Sequence, residues 1–287
     1  MTQADRRGEK ETEILQRYAK GDRDFRASQL SKTNLQGIDF QDVDLRGADL
    51  SGTNLSEAQL NTANLREANL TGANLARANL TDANLISSCL LKANLTQANL
   101  NNASLRGADL RSAILNRAKL HEAHLSEADL TEATLVGADL SEANCSRTKL
   151  IGADLRQANL SNTNFCYTLA NEANLGEANL THAILSGAKL SGANFSNGNL
   201  SWAKLVGVNL TDAVLLGTNL RGANASWSTL RGANLQGANL YLTKLIWSNL
   251  SRSILANAIL VNANIRETNL QDADLSGAIM PDGMTHD

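Results

Sequence analysis

Proline appears once in 287 residues, at Pro281, so no proline before that point interrupts a hydrogen-bonded backbone. Cysteine appears three times, at Cys89, Cys145 and Cys166, too few for a disulfide framework. No apolar run of about 18 residues is present to span a membrane, and residues 2–11 are polar and charged, unlike a secretory leader. The chain is therefore expected in the cytoplasm. A charge excess is lacking as well. The 29 acids and 26 bases give −3, neither the basic excess of a nucleic-acid binder nor a strongly acidic surface. Histidine is confined to His121, His124, His182 and His286, which limits metal binding and acid–base catalysis. Aromatic residues make up only 3%, so any clustering of them is informative.

What the chain does have is a period of five. Every fifth residue from Phe25 to Met280 is apolar, 52 positions without a slip, and Leu fills 43 of them. The exceptions are Phe25, Phe40, Cys145, Phe165, Ala170, Phe195, Ala225, Ile265 and Met280. Two residues before this centre stands Ala in 34 of the 52 repeats, and one before it Asn or Asp in 33. A helix is excluded, because five helical steps would rotate the apolar position by about 140° per repeat and smear it round the circumference. A long strand is excluded too, because five is odd and successive leucines would alternate faces. Within one pentad, Ala and the centre are two apart and face the same side, with Asn or Asp pointing away between them. The next two residues, mostly polar, must then turn the chain. Each pentad reads as a short extended side plus a corner, with Asn or Asp placed to satisfy the backbone of the turn.

Corners of one hand wind a solenoid whose sides stack at roughly 4.8 Å. Three corners per coil would take fifteen residues and four would take twenty; spacing alone does not choose. The pattern A(N/D)LxG, as in Ala48-Asp49-Leu50-Ser51-Gly52 or Ala73-Asn74-Leu75, resembles the pentapeptide-repeat family over residues 23–280. That resemblance implies an all-β solenoid, a right-handed quadrilateral β-helix with four repeats per coil. Fifty-two pentads would then make about 13 coils, roughly 60 Å long. The ends, Glu13 to Gly21 ahead of Asp24-Phe25 and Gly277 to Gly283, are similar to cyanobacterial members, in particular the heterocyst-differentiation pentapeptide-repeat regulator.

Unbroken register makes residues 23–280 one repeat domain. Residues 1–10 are expected to be a flexible segment and 11–22 an N-terminal capping helix, with Ile14, Leu15, Tyr18 and Ala19 on one apolar stripe and Gly21 as its stop. The tail 281–287 looks like a poor cover for an open solenoid end, so a monomer or a weak dimer through the C-terminal end is expected. Inside, Cys145 falls under Phe165 in the four-sided register, a small residue beside a large one. Ala170 and Ala225 have no such compensation, and a vacancy of this kind costs about 2–5 kcal/mol unless the coil collapses. Leu169 is expected to swing inward beside Ala170.

Chemistry is sparse. His121 and His124 flank one corner, point in different directions and have no third ligand nearby. In the four-sided register the one histidine within a coil of Cys166 is His182, sixteen residues on and so on a different corner, which leaves the thiol without a stacked base to activate it. No inserted loop carries catalytic groups. The sequence therefore points to no catalytic residues, no cofactor, no metal and no small-molecule substrate, and the charge balance argues against nucleic acid.

Residues twenty apart should stack, and this gathers the aromatics. Trp202, Trp227 and Trp247 each follow a centre by two and bound a face built from 201–207, 221–227 and 241–247. That face adds Val206, Tyr241, Leu242 and Ile246, with Lys204, Arg221 and Lys244 among them. Trp, Tyr and Arg are the residues that carry interface energy, so this is the candidate protein-binding face. A corner column of Arg26, Arg46, Arg66 and Arg106, interrupted by Ile86, is a candidate electrostatic rim. The expected function is a non-enzymatic scaffold or regulator that presents a rigid face to a protein partner, a regulator or signalling component. The resemblance suggests a role in heterocyst differentiation. The alternative is a DNA mimic that inhibits or protects a type II topoisomerase, a role implied by other family members, against which the near-balanced charge counts. An enzyme or an ice-binding protein would need carboxylate-bearing loops or flat threonine columns, and neither is present.

Overall fold

A computed structural model describes residues 12–286, which divide into two compact units, the first ending at Ala138 and the second beginning at Asp139. The expected flexible segment 1–10 lies outside the described residues. Both units follow one local plan. The centre carbonyl accepts from the N–H three residues later, as in Ala48 N to Leu45 O at 3.0 Å, which closes a β-turn over the two polar residues between. The second of these has φ near +60° at every corner from Ala27 to Gly277, the left-handed conformation of a type II turn. Glycine suits this position, yet Tyr167, Leu242 and all three tryptophans also adopt it. The Asn or Asp before the centre bonds the first turn residue: Asn54 Oδ1 accepts from Ser56 N at 3.2 Å and Asn74 Oδ1 from Ala76 N at 3.2 Å. This is the turn-satisfying role that the sequence assigns to these side chains.

Each extended side pairs with the residue twenty positions on, in parallel, from Asp24↔Asp44 to Ile114↔Thr134 in the first unit and from Asp139↔Asn159 to Ile259↔Ile279 in the second. Twenty residues per coil, not fifteen, is thus the register, with four corners in each. A corner every five residues leaves one bridging residue per side, so the sides are isolated bridges rather than strands of ordinary length. The pairing still satisfies the backbone: Leu50 N donates to Asn69 O at 2.7 Å and Gly52 N to Thr71 O at 2.8 Å. Asn side chains repeat the motif outside, with Asn54 donating to Asn34 at 2.8 Å and Asn94 to Asn74 at 3.1 Å.

The centres and the residues two before them fill each interior, and nearly all are buried. Where Thr replaces Ala, its hydroxyl finds a backbone carbonyl: Thr163 donates one coil back to Leu140 O at 2.7 Å and Thr218 to Phe195 O at 2.8 Å, while Thr33, in the first coil, donates to Leu30 O at 2.7 Å. The buried polar group is therefore paired rather than left desolvated.

In the first unit, helix α1 spans 12–19, shorter than the expected segment 11–22. Ile14 is buried and the Tyr18 ring lies 5.1 Å from the Phe40 ring, which in turn stacks on Phe25. Leu15 and Ala19 are exposed, a correction to the expected stripe: only Ile14 and Tyr18 turn toward the first coil. Two phenylalanines in that coil supply the volume against which the helix packs.

The second unit bears on two further expectations and corrects the second. Its tail does pair with the last coil. Ile279 and Thr285 form an antiparallel bridge, and Gly277 N and Met280 N donate to His286 O and Met284 O, both at 2.8 Å. One side is covered this way, while Ile265, Leu270 and Leu275 remain half-buried at the other three. Leu169 does not swing inward; it stays half-exposed and keeps its bridges to Lys149 and Lys189. The vacancy at Ala170 instead remains as an apolar cavity of about 10 Å³, lined by Phe165, Leu150, Leu175 and Leu190 among others.

Candidate interaction face

Three coils of the second unit carry the aromatic residues. Lys204, Asn224 and Lys244 bridge in sequence, so 203–205, 223–225 and 243–245 form one side, bounded by the corners at 202, 222 and 242 and at 207, 227 and 247. Leu205 and Leu245 pin this side to the core from within. The structure brings Trp227 and Trp247 together: their rings stack 5.5 Å apart at 12°. Trp202 stands on the opposite corner of the same side, its ring over Gly222, where a Cβ would meet it at 2.5 Å. The tryptophans are 47%, 64% and 52% exposed in chain order, so burial within the unit accounts for only part of their surface. Leu242 is exposed, while Val206, Tyr241 and Ile246 are half-buried beside the corners. The Arg221 guanidinium lies 5.2 Å from the Tyr241 ring centre, a cation–π distance that fixes both side chains. Lys204 and Lys244 project from the middle of the side and are exposed.

Sequence reasoning missed Tyr167. It is 63% exposed and lies on the corner column of Trp227, three coils toward the N-terminus, with its ring over Gly187. The twenty-residue spacing that aligned the tryptophans reaches it as well, through 187 and 207; two intervening glycines hid the continuity.

In the first unit, Arg26, Arg46 and Arg66 line a shallow exposed recess with Gly47 and Glu67. Each has an acidic partner: Arg26 to Asp24 at 2.5 Å, Arg46 to Asp44 at 2.6 Å and Arg66 to Glu67 at 3.0 Å. The Arg26 side chain holds the Asp24 carboxyl down to about 2, and the Arg46 side chain lowers that of Asp44. Arg106 is exposed. A column this neutralised offers an anion far less charge than four arginines suggest.

His121 Nε2 lies 3.6 Å from Glu122 Oε1. Among the described residues no group of three or more His, Cys, Asp or Glu is placed to hold a metal ion, and no helix is long and apolar enough to cross a membrane. All three cysteines are free. Burial pushes the Cys145 thiol up to about 12, so it is inert at neutral pH.

Comparison with known proteins agrees with this architecture. The family model, described as pentapeptide repeats (8 copies), matches nine stretches of the chain, residues 24–61, 63–102, 88–126, 118–157, 158–197, 173–212, 198–237, 209–245 and 243–280. Among solved structures, HetL, a pentapeptide-repeat protein involved in heterocyst differentiation regulation from the cyanobacterium Nostoc sp. strain PCC 7120, is 34% identical. The match covers 96% of this chain and 98% of HetL at a TM-score of 0.31, so the likeness is one of sequence. Trypsin-treated QnrB1, a plasmid-mediated fluoroquinolone resistance protein, is 23% identical over 61% of this chain and 88% of its own, with a TM-score of 0.56, a likeness of fold. No curated protein matches. With the repeat model spanning the chain from 24 to 280 and a full-length relative at 34% identity, this protein belongs to the pentapeptide-repeat family, a right-handed β-helix.

Proposed function

We propose that this chain is a non-enzymatic interaction protein that presents the Trp202–Trp227–Trp247 face to a protein partner. The observation that carries the reading is the exposed, stacked pair Trp227 and Trp247 on a chain with only 3% aromatic residues. A ring held at a rigid corner loses little conformational entropy on docking, and exposed Trp and Tyr beside Arg are the residue types that dominate binding energy. Trp227 and Trp247 also sit at left-handed corners, where a side chain gives up backbone comfort and, being more than half exposed, gains little burial in return. In this reading helix α1 acts as the N-terminal cap, the repeat region 23–280 is a cytoplasmic scaffold, and the arginine column is at most a weak electrostatic rim. The 34% identity to HetL supports a regulatory role of the same kind, in heterocyst differentiation.

The test is capture of partner from the native organism by the full chain and by Trp227→Ala/Trp247→Ala. The double variant should keep its circular dichroism spectrum and melting profile yet lose the captured protein. Equal recovery by both would remove the assignment. A topoisomerase supercoiling assay without protection would dispose of the DNA-mimic alternative, which the balance of 29 acids and 26 bases already disfavours.

A further inference from the structure

We infer that the corner at Gly207 is a side-chain slot that admits one aromatic ring from an acidic segment of the partner; this rests on the interaction-face reading and names the partner's chemistry. Five corners follow one another along one edge of the face: Tyr167, Gly187, Gly207, Trp227 and Trp247. Each passes a backbone hydrogen bond to the next coil, as in Gly187 N to Val206 O at 3.0 Å, Gly207 N to Ser226 O at 3.1 Å and Trp227 N to Ile246 O at 2.9 Å. Large corner side chains here lie over the coil that follows. The Tyr167 ring covers Gly187, where a Cβ would stand 2.7 Å from two ring carbons, and Trp227 stacks on Trp247. At Gly207, by contrast, nothing lies within 4 Å of where a Cβ would be.

An open corner thus stands between two aromatic walls. Both walls lean onward alike, so the three coil steps from Tyr167 to Trp227, roughly 14 Å, separate their rings. Aromatic rings pair at centroid distances of about 4.5–7 Å, so one ring seated midway in such a gap reaches both walls at the upper end of that range. The charge around the slot is one-sided. Residues 201–207, 221–227 and 241–247 contain no Asp or Glu, while Lys204, Arg221 and Lys244 are exposed. Within the described residues none of these three cations has an ion-pair partner, although the chain as a whole is acidic. Lys204 and Lys244 are two coils apart, roughly 10 Å, which three residues of an extended segment span. Single-stranded nucleic acid also offers rings and negative charge, but it calls for a basic groove that follows the backbone, and three cations do not make one.

The experiment uses the full chain and a short fluorescent peptide of Glu and Gly with one central Tyr. Its comparison probes replace Tyr with Ala, replace Glu with Lys, or are an oligothymidine. Gly207→Leu fills the slot; Leu242 holds the same left-handed conformation, so the corner can carry leucine at the cost of left-handed strain. The tyrosine peptide should bind about tenfold more weakly to Gly207→Leu and to Lys204→Glu/Lys244→Glu, the loss expected for a lost hot spot. Binding of the alanine peptide should not respond to Gly207→Leu. If Gly207→Leu fails to melt as the parent does, Tyr167→Ala removes one wall without altering the corner and should give the same loss. The proposal is overturned if the lysine peptide binds as well, if neither slot variant weakens the tyrosine peptide, or if oligothymidine binds with the same dependence on the slot. Absence of peptide binding, with tryptophan-dependent capture of the native partner intact, would sink the slot and spare the face. Loss of both would sink both.

Discussion

The Ala170 vacancy offers the sharpest test of packing. A leucine removed from a rigid core leaves a hole whose cost rises by about 24 cal/mol per Å³. The cavity at Ala170 is about 10 Å³, and at that rate it costs roughly 0.2 kcal/mol rather than the several expected of an unrelieved Leu-to-Ala change. The neighbours have therefore already taken the space, and the large Phe165 ring is on the cavity wall. It follows that restoring the repeat with Ala170→Leu forces three extra heavy atoms into room for barely one water. The expected result is destabilisation by about 1–3 kcal/mol, the usual cost of overpacking. Phe165→Leu alone should also destabilise, by enlarging the hole. Together, Phe165→Leu and Ala170→Leu recreate two ordinary repeats and should be less harmful than the sum of the single changes, by about 0.5–3 kcal/mol. Urea unfolding followed by tryptophan emission reads this in the second unit, where Trp202, Trp227 and Trp247 all lie. Amide hydrogen exchange on Leu150, Ala170 and Leu190 should accompany it, because repeat proteins open locally. A rise in the unfolding midpoint for Ala170→Leu at unchanged slope would refute the reasoning, since it would show that a leucine-sized space was free.

Corner glycines give a paired prediction. Gly47→Ala, in open space at φ +64°, should cost about 1 kcal/mol in urea for the left-handed strain alone, whereas Gly222→Ala must also displace the Trp202 ring and should cost more and shift tryptophan emission. Acid should weaken the first unit through its arginine-held carboxylates. Asp24 is lowered to about 2 by Arg26, and Asp44 is lowered by Arg46. A depressed native-state value means that the stabilisation is complete above the unfolded-state value of about 4 and is lost as pH falls from there toward 2. Arg26→Gln and Arg46→Gln should therefore lower the melting temperature at pH 6 and leave it unchanged near pH 2; an equal loss at both pH values would show that charge pairing is not the cause.

The period of five settles a great deal before any coordinate is known. It excludes helix and long strand, sends leucine and alanine inward, and assigns Asn and Asp to the turn, because these follow from geometry within one pentad. It also lines up Trp227 with Trp247 once twenty residues make a coil. What it leaves open depends on contacts between residues distant in sequence. The choice of twenty over fifteen residues per coil comes from backbone pairing such as Asp24 with Asp44. The tilt of α1, which buries Ile14 and exposes Leu15, is decided by where Phe25 and Phe40 lie beneath it. The return of the tail onto Ile279, the near-filling of the space at Ala170 and the lean of Tyr167 over Gly187 are decided the same way. Local sequence fixes which way a residue faces. Only the stacking of one coil on another decides what that residue meets, and at Gly207 it meets nothing.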